Sequence, residues 1–418
     1  MKTYVLVGRH IGMVSGEKIY HHNKLTYLVS KGWRVLYISC NKESTPVDGA
    51  SNYSHFVFPA LTYAPECYSK REVKKTVEGI VSAIGDFGND QCIIESDSLN
   101  RAVWAELVAK RVNAKHLAIF LQETHRYNEE TRKFLKFKYD RHELAGIAIQ
   151  SINIILGDDS IKQRDDTRVR AFCNNCVQNC EDSISSQLSK DVKYTFGSIG
   201  RLDKKCVSSI LEGFKTYADK HPDEKFNLVL IGGAMGRKRI KQIRLSMNEC
   251  SNIHLIITGY MYPIPESLIN NIDLFVSTAG SSICSYRYHR PTIMVHPSTG
   301  EPVGILGLDD MKGKTMYDVM SDVSIYDCID RTLKNINNIS YRYNYYEDYY
   351  QDMYKEFDRQ LSFADIIQNR EYYDEKLLMK IRTAYIKGHI WHRLIGHLLG
   401  AKGLNLIIEL CKTIHGGV

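Results

Sequence analysis

The chain has 418 residues, 44% of them apolar and 25% charged, with a formal net charge of +7. That balance excludes a disordered or fibrous protein, and the length exceeds what one ordinary core organises, so two domains are expected. A moderate positive charge suits an anionic substrate or a membrane surface, and no basic stripe interleaved with aromatics points to nucleic acid.

In chain order, "MKTYVLVGRH" opens on a short strand and not on a signal peptide. Further strands are read in "WRVLYIS" from Trp33, "QCIIES" from Gln91, "HLAIFLQ" from His116 and "INIILG" from Ile152. Between two of them "NRAVWAELVAKRV" places Val103, Leu107, Val108 and Val112 at helical spacing. A second set follows: "KYTFGS", "FNLVLIGG", "IHLIITG", "DLFVST" and "PTIMVHP". Runs of Val, Ile and Leu without strict alternation suit parallel strands covered on both faces. Strands alternating with helices predict open, doubly wound α/β sheets. The expected fold class is α/β with two Rossmann-like domains facing each other across a cleft, over residues 1–188 and 189–370, and a basic helical tail over 371–418.

Eleven cysteines are scattered as reduced thiols would be. Cys173, Cys176 and Cys180 cluster, but no fourth ligand stands at metal-like spacing, so structural thiols are expected there. From Lys376 onward seven Lys or Arg face one acid, Glu409. Ile390, Trp391, Leu394, Ile395, Leu398 and Leu399 recur at helical spacing, with His392, Arg393 and His397 opposite. Such a helix packs on the protein or lies in a membrane interface. The tyrosine-rich "SYRYNYYEDYYQDMYKEF" from Ser340 reads as a helix lying on its own protein. No apolar run approaches about 20 residues, so no spanning helix is expected and the location reads as cytoplasmic.

Ligands of open α/β sheets bind at the carboxyl ends of the strands. One loop there is unusual. "GSIGRLDKKC" sets Arg201, Lys204 and Lys205 between a strand and the helix "VSSILEGFKTYADK". The amino end of a helix carries partial positive charge, so cations gathered there make sense around an anion, phosphate above all.

The segment "FGSIGRLDKKCVSSILEGFKTYADKHPDEKFNLVLIGG" resembles the start of the C-terminal domain of GT-B glycosyltransferases, especially the retaining group 1, or family 4, enzymes. Gly200-Arg201-Leu202 and Glu212-Gly213-Phe214 match that pattern, and Lys205 takes the place of the family lysine. More loosely, Gly16 and Glu17 sit where the family has Gly-Gly-Ala-Glu, and Arg290-Pro291-Thr292-Ile293 stands for Gly-x-Pro-Val-Ile. The resemblance spans roughly the first 330 residues in order. It implies that Arg201 and Lys205 hold the diphosphate of a nucleotide sugar, with Gly16, Ser281 and Ser282 beside it and Gly232, Gly233 and Glu301 toward the nucleotide. The family's two donor-region glutamates, eight residues apart, are missing: their places fall near Val276 and Cys284, in "STAGSSICSY".

Transfer requires a neutralised leaving group, a stabilised oxocarbenium-like centre and a positioned acceptor hydroxyl. Arg201 and Lys205 serve the first without a metal, and no Asp-x-Asp motif ends a strand, so neither cofactor nor essential metal is expected. Glu123 and His125 in "LQETHR" are the catalytic candidates on the acceptor side, with His10, Glu95 and Asp97 on equivalent loops. The expectation is a hexosyltransferase, retaining in type, moving a sugar from a nucleotide diphosphate to a glycan or lipid-linked acceptor at a bacterial membrane in surface polysaccharide synthesis. The alternatives are a non-catalytic GT-B-like partner of an active enzyme, motivated by the missing glutamates, and a sugar-nucleotide epimerase of the same fold.

Overall fold

The computed structural model describes residues 1–9, 16–41, 52–88, 90–121, 127–147, 149–162, 164–167, 169, 176–234, 236–311, 314–341, 353–366, 371–382 and 389–414. The chain divides into two units: the first takes residues 1–13, 17–171 and 351–418, the second 14–16 and 172–350.

In the first unit the elements run β1 (Thr3–Gly8), α1 (Gly16–Ser30), β2 (Arg34–Ser39), β3 (Ser54–Val57), α2 (Lys70–Ile84), β4 (Cys92–Ser96), α3 (Leu99–Val112), β5 (Lys115–Phe120), α4 (Glu129–Asp140), β6 (Leu144–Gly146) and α5 (Ile149–Leu156). The strands form one sheet in the order β3-β2-β1-β4-β5-β6, every pair parallel. β1 is buried at every position, as a central parallel strand covered on both faces must be. Ser69 caps α2 by accepting from the Glu72 N–H, and Asn128 caps α4 through the Thr131 N–H.

In the second unit follow β7 (Val177–Gln178), β8 (Tyr194–Ile199), α6 (Cys206–Asp219), β9 (Phe226–Ile231), α7 (Arg237–Met247), β10 (Ile253–Ile257), β11 (Ile264–Pro265), α8 (Glu266–Asn270), β12 (Leu274–Ser277), α9 (Gly280–Arg287), β13 (Thr292–Val295), β14 (Pro302–Ile305) and α10 (Ile325–Lys334). The six-stranded sheet has the order β10-β9-β8-β12-β13-β14. It is parallel except for the edge pair β13–β14. Phe196 stacks between Phe214 and Phe226 at 5.3 and 5.5 Å, tying the central strand to α6 and β9.

The last helices, α11 (Met353–Ile366), α12 (Glu375–Leu378) and α13 (His389–Ile414), belong to the first unit. Tyr354 stacks on Tyr27 at 4.7 Å, and Gln360 accepts from the Tyr20 hydroxyl at 2.8 Å, so α11 lies along α1. α13 packs on residues 59–67: His397 approaches the Glu66 carbonyl at 3.3 Å and Asn405 donates to the Pro59 carbonyl at 3.2 Å.

Three expectations change. "INIILG" is the helix α5 and not a strand; five residues of Ile, Asn and Leu carry no periodicity that separates the two. The first change of unit falls near 171 and not at 188, because β7 pairs with β11 inside the second unit. The return to the first unit comes near 351 and not 371, through α11. In addition, Ile390–Cys411 is long and apolar enough by composition to cross a membrane, against the expectation that no such run exists. Gly400 (φ 66°, ψ −171°) breaks it into two shorter helices, and Ala401 and Leu404 are buried in the first core.

Candidate functional site

Four loops at the carboxyl end of the second sheet carry the expected donor residues. After β8, Gly200 takes φ 147°, and after β9, Gly232 takes φ 157°. A Cβ on Gly232 would lie 1.9 Å from the Gly200 carbonyl oxygen, so this contact admits only glycine. The Gly200 N–H donates to the Ile231 carbonyl at 3.0 Å and the Leu202 N–H to the Gly233 carbonyl at 2.8 Å, locking the two loops together. A Cβ on Gly200 would come 3.9 Å from the Ser281 hydroxyl, which joins the loop after β12 to them.

Arg201 is part-exposed, with Asp203 at 3.8 Å, and Lys205 is exposed and starts α6. Arg239 is committed elsewhere: it donates to the Leu202 carbonyl and to the Ser208 hydroxyl, both at 3.0 Å, and so braces the Arg201 loop. Ser281 is part-exposed, whereas Ser282 is fully buried and donates its hydroxyl to the Ala279 carbonyl at 2.6 Å. Of the two serines, Ser281 is therefore the one presented. Ala279 precedes α9 at φ 50°, ψ −134°, a conformation suited to glycine. Glu301 is exposed and accepts from the Thr299 hydroxyl at 2.7 Å, while the Thr299 carbonyl accepts from Ser209 of α6 at 2.8 Å. Its loop thus rests on the helix that Lys205 begins. Tyr260, after β10, is an addition that sequence reasoning missed. A Cβ on Gly233 would meet its ring at 2.7 Å, and burial, together with Asp203, raises its phenol. Only the generic Gly-Tyr after a strand hinted at it.

In the first unit, Glu123, His125 and His10 lie outside the described residues. Gly16 opens α1 with nothing within 4 Å of a notional Cβ, so no close approach requires glycine there. Glu95 is fully buried in an ion pair with Lys24 and also accepts from the Tyr4 hydroxyl. It serves the core. Asp97 is different. It receives the Arg101 guanidinium on Oδ1 and the Arg9 N–H on Oδ2, the latter at 3.1 Å. One ligand atom each of Asp97, Glu17 and His21 lies within 4.8 Å of the others. Burial, and then the Asp97 carboxylate beside it, pushes the Glu17 carboxyl up to about 8. Burial lowers the His21 imidazole. The Glu17–His21 spacing of four residues was the available signal for this cluster, and His21 was overlooked.

Among the described residues Cys176 and Cys180 are in no disulfide, and Cys173 lies outside them. A hydrogen bond with Cys176, and then burial, raises the Cys284 thiol, so Cys176 faces a cysteine of α9.

This fold is that of GT-B glycosyltransferases: α/β, with parallel Rossmann-like sheets and a C-terminal helix. Among solved structures, a glycosyltransferase from Rickettsia africae has a TM-score of 0.56 at 13% identity, over 91% of this chain and 96% of that one. Anabaena HepE, solved in complex with UDP, gives 0.54 at 11% identity, over 91% and 98%. The sucrose-phosphate synthase of Thermosynechococcus elongatus gives 0.52 at 12%, over 94% and 99%. No protein-family model and no curated protein matches the sequence.

Proposed function

We propose that this protein is a glycosyltransferase that takes a hexosyl group from a nucleotide diphosphate donor, with a uridine diphosphate sugar the first to test. The observation that carries it is the second sheet's carboxyl edge. There Gly200 and Gly232 meet backbone to backbone, Ser281 stands beside them, and Arg201 and Lys205 flank the start of α6. Glycines leave room for a diphosphate, and the two cations neutralise it. The fold agrees, and HepE was solved with UDP.

In the reaction the anomeric C–O bond to the diphosphate breaks, a new C–O bond forms to the acceptor oxygen, and the acceptor's hydroxyl proton passes to the departing diphosphate or to solvent. Charge develops on the departing diphosphate, where Arg201 and Lys205 stabilise it without a metal. Tyr260 and Glu301 border the same loops and suit the nucleoside. Retention at the anomeric carbon is what the family resemblance implies, and the product's anomeric NMR coupling reads it.

The acceptor is proposed to be a glycan or lipid-linked glycan, as in bacterial surface polysaccharide synthesis, met at the membrane through α13. Trp391 is 67% exposed and Leu398 81%, with Ile390, Leu394, Leu399, Leu406 and Leu410 also exposed. Arg393 is half-exposed and Lys402 is exposed on the same helix. An apolar face edged by cations fits an anionic lipid interface. Release of UDP from a panel of UDP-sugars, dependent on Arg201 and Lys205 and quickened by a lipid-linked acceptor, tests the transfer. A well-folded protein that releases none would favour a non-catalytic partner.

A further inference from the structure

The first unit holds a cluster of two carboxyl groups and an imidazole. Glu17 stands in the first turn of α1 and His21 one turn on, so both share a helix face. Asp97, just past β4, meets that face, and the three groups present ligand atoms within 4.8 Å of one another. Asp97 is 1% exposed and His21 2%, whereas Glu17 is half-buried and leaves the cluster reachable from solvent. Among the described residues His21 Nε2 is buried with no hydrogen-bond partner. A buried polar atom left in that condition is unfavourable, so the site is one that a ligand would complete. Two carboxyl groups also meet there, Glu17 hydrogen-bonded to Asp97, beside the guanidinium of Arg101. A cation accepted by both carboxylates and by a neutral imidazole answers all of these features together.

We propose that Glu17, His21 and Asp97 bind one divalent metal ion of the class that takes mixed carboxylate and imidazole ligands, such as Mn2+ or Zn2+. Two carboxylates alone would suit Mg2+ or Ca2+ equally, and the imidazole shifts the preference to transition metals. Bonds of about 2.0–2.2 Å bring ligand atoms roughly 3–4 Å apart, so side-chain adjustment suffices. Arg101 already grips one Asp97 oxygen, as outer partners orient metal-binding carboxylates. The bound ion would pin the first turn of α1 to the end of β4. The proposal stands apart from the donor reading, since all three ligands belong to the first unit.

The test uses the full chain, stripped with chelator, and Mn2+ alone. Free Mn2+ is counted by electron paramagnetic resonance, with the thermal midpoint of each variant checking its fold. The expected result is removal of one equivalent of free signal per chain and competition by Zn2+. Glu17→Gln and His21→Gln should each weaken binding at least about tenfold, while Cys176→Ser/Cys180→Ser leaves it unchanged. Should His21→Gln not fold, the half-buried Glu17→Gln decides alone. An undiminished free signal with the native protein, or equal binding by the Glu17 variant, would overturn the proposal. The carboxyl pair would then hold a shared proton in place of a metal.

Discussion

The two six-stranded sheets have the same order and treat charge in opposite ways. Among the described residues, every buried Lys, Arg, Asp, Glu or His lies in the first unit. Lys24 pairs with Glu95, Arg101 with Asp97, and Lys138 with both Glu106 and Glu143. The second unit buries only uncharged polar groups, such as Ser198, Asn227, Ser277 and Thr292, and keeps Arg201 and Lys205 toward solvent. A buried ion needs a partner within the protein, so the first unit's charges are largely spent on one another. The second unit keeps its ion pairs nearer the surface, among them Lys193 with Glu224, Lys215 with Glu249 and Lys334 with Asp330. The same architecture thus yields one unit with charge pairs in its core and one whose described core is uncharged.

The largest expected effect breaks the first half of that comparison. Lys24→Met leaves Glu95 buried without its cation and should destabilise the protein by about 3–5 kcal/mol in urea unfolding. A loss below about 1 kcal/mol would mean that this buried pair contributes no more than a surface one.

The next effect is a pH dependence. Burial, then Lys138, lowers His116 to about 4, although its Nδ1 lies 2.6 Å from Glu106 Oε2. An unfolded histidine titrates near 6.5, so between about 6.5 and 4 the unfolded chain binds the extra proton. Stability from this group is complete above about 6.5 and is lost as pH falls toward 4. By linkage the loss totals about 3 kcal/mol, and His116→Gln should flatten that limb of the urea-unfolding profile. The second unit has no buried histidine among its described residues.

A smaller effect sharpens the second half. Ala279→Gly removes the Cβ at φ 50°, ψ −134°, and should stabilise the protein by about 1 kcal/mol with nucleotide binding intact. The smallest effect on stability comes from α13. Trp391→Ser/Leu398→Ser should change stability by no more than about 0.5 kcal/mol, because both side chains are exposed. It should nonetheless abolish sedimentation with phosphatidylglycerol vesicles. Equal sedimentation with neutral vesicles would deny a role to the cations.

What the sequence made legible follows from the range of the interactions. Parallel core strands announce themselves as apolar runs, and β1, β2, β4, β5, β8, β9, β10, β12 and β13 all stand where such runs stand. The short strands β3, β6, β7, β11 and β14 have two to four residues and carry no local signal. The Gly200–Gly232 contact was legible as glycines after strands. The charged core was not, because its pairs are tertiary: Lys24 and Glu95 lie 71 residues apart and Lys138 and Glu106 lie 32 apart. Nothing in "GEKIYHHNKLTYLVS" discloses that α1 buries His21, Asn23 and Lys24. Ser282 looked like a donor beside Ser281, and only the turn geometry shows its hydroxyl committed to Ala279.

The most direct measurement is calorimetric titration of the native protein and of Arg201→Ala/Lys205→Ala with UDP. The account predicts one site in the native protein and loss of that binding in the double variant, whose thermal midpoint is unchanged. UDP at about 100 times its Kd should add about 2.7 kcal/mol of stability to the native protein only. Binding of equal strength by both proteins would contradict a diphosphate held by Arg201 and Lys205.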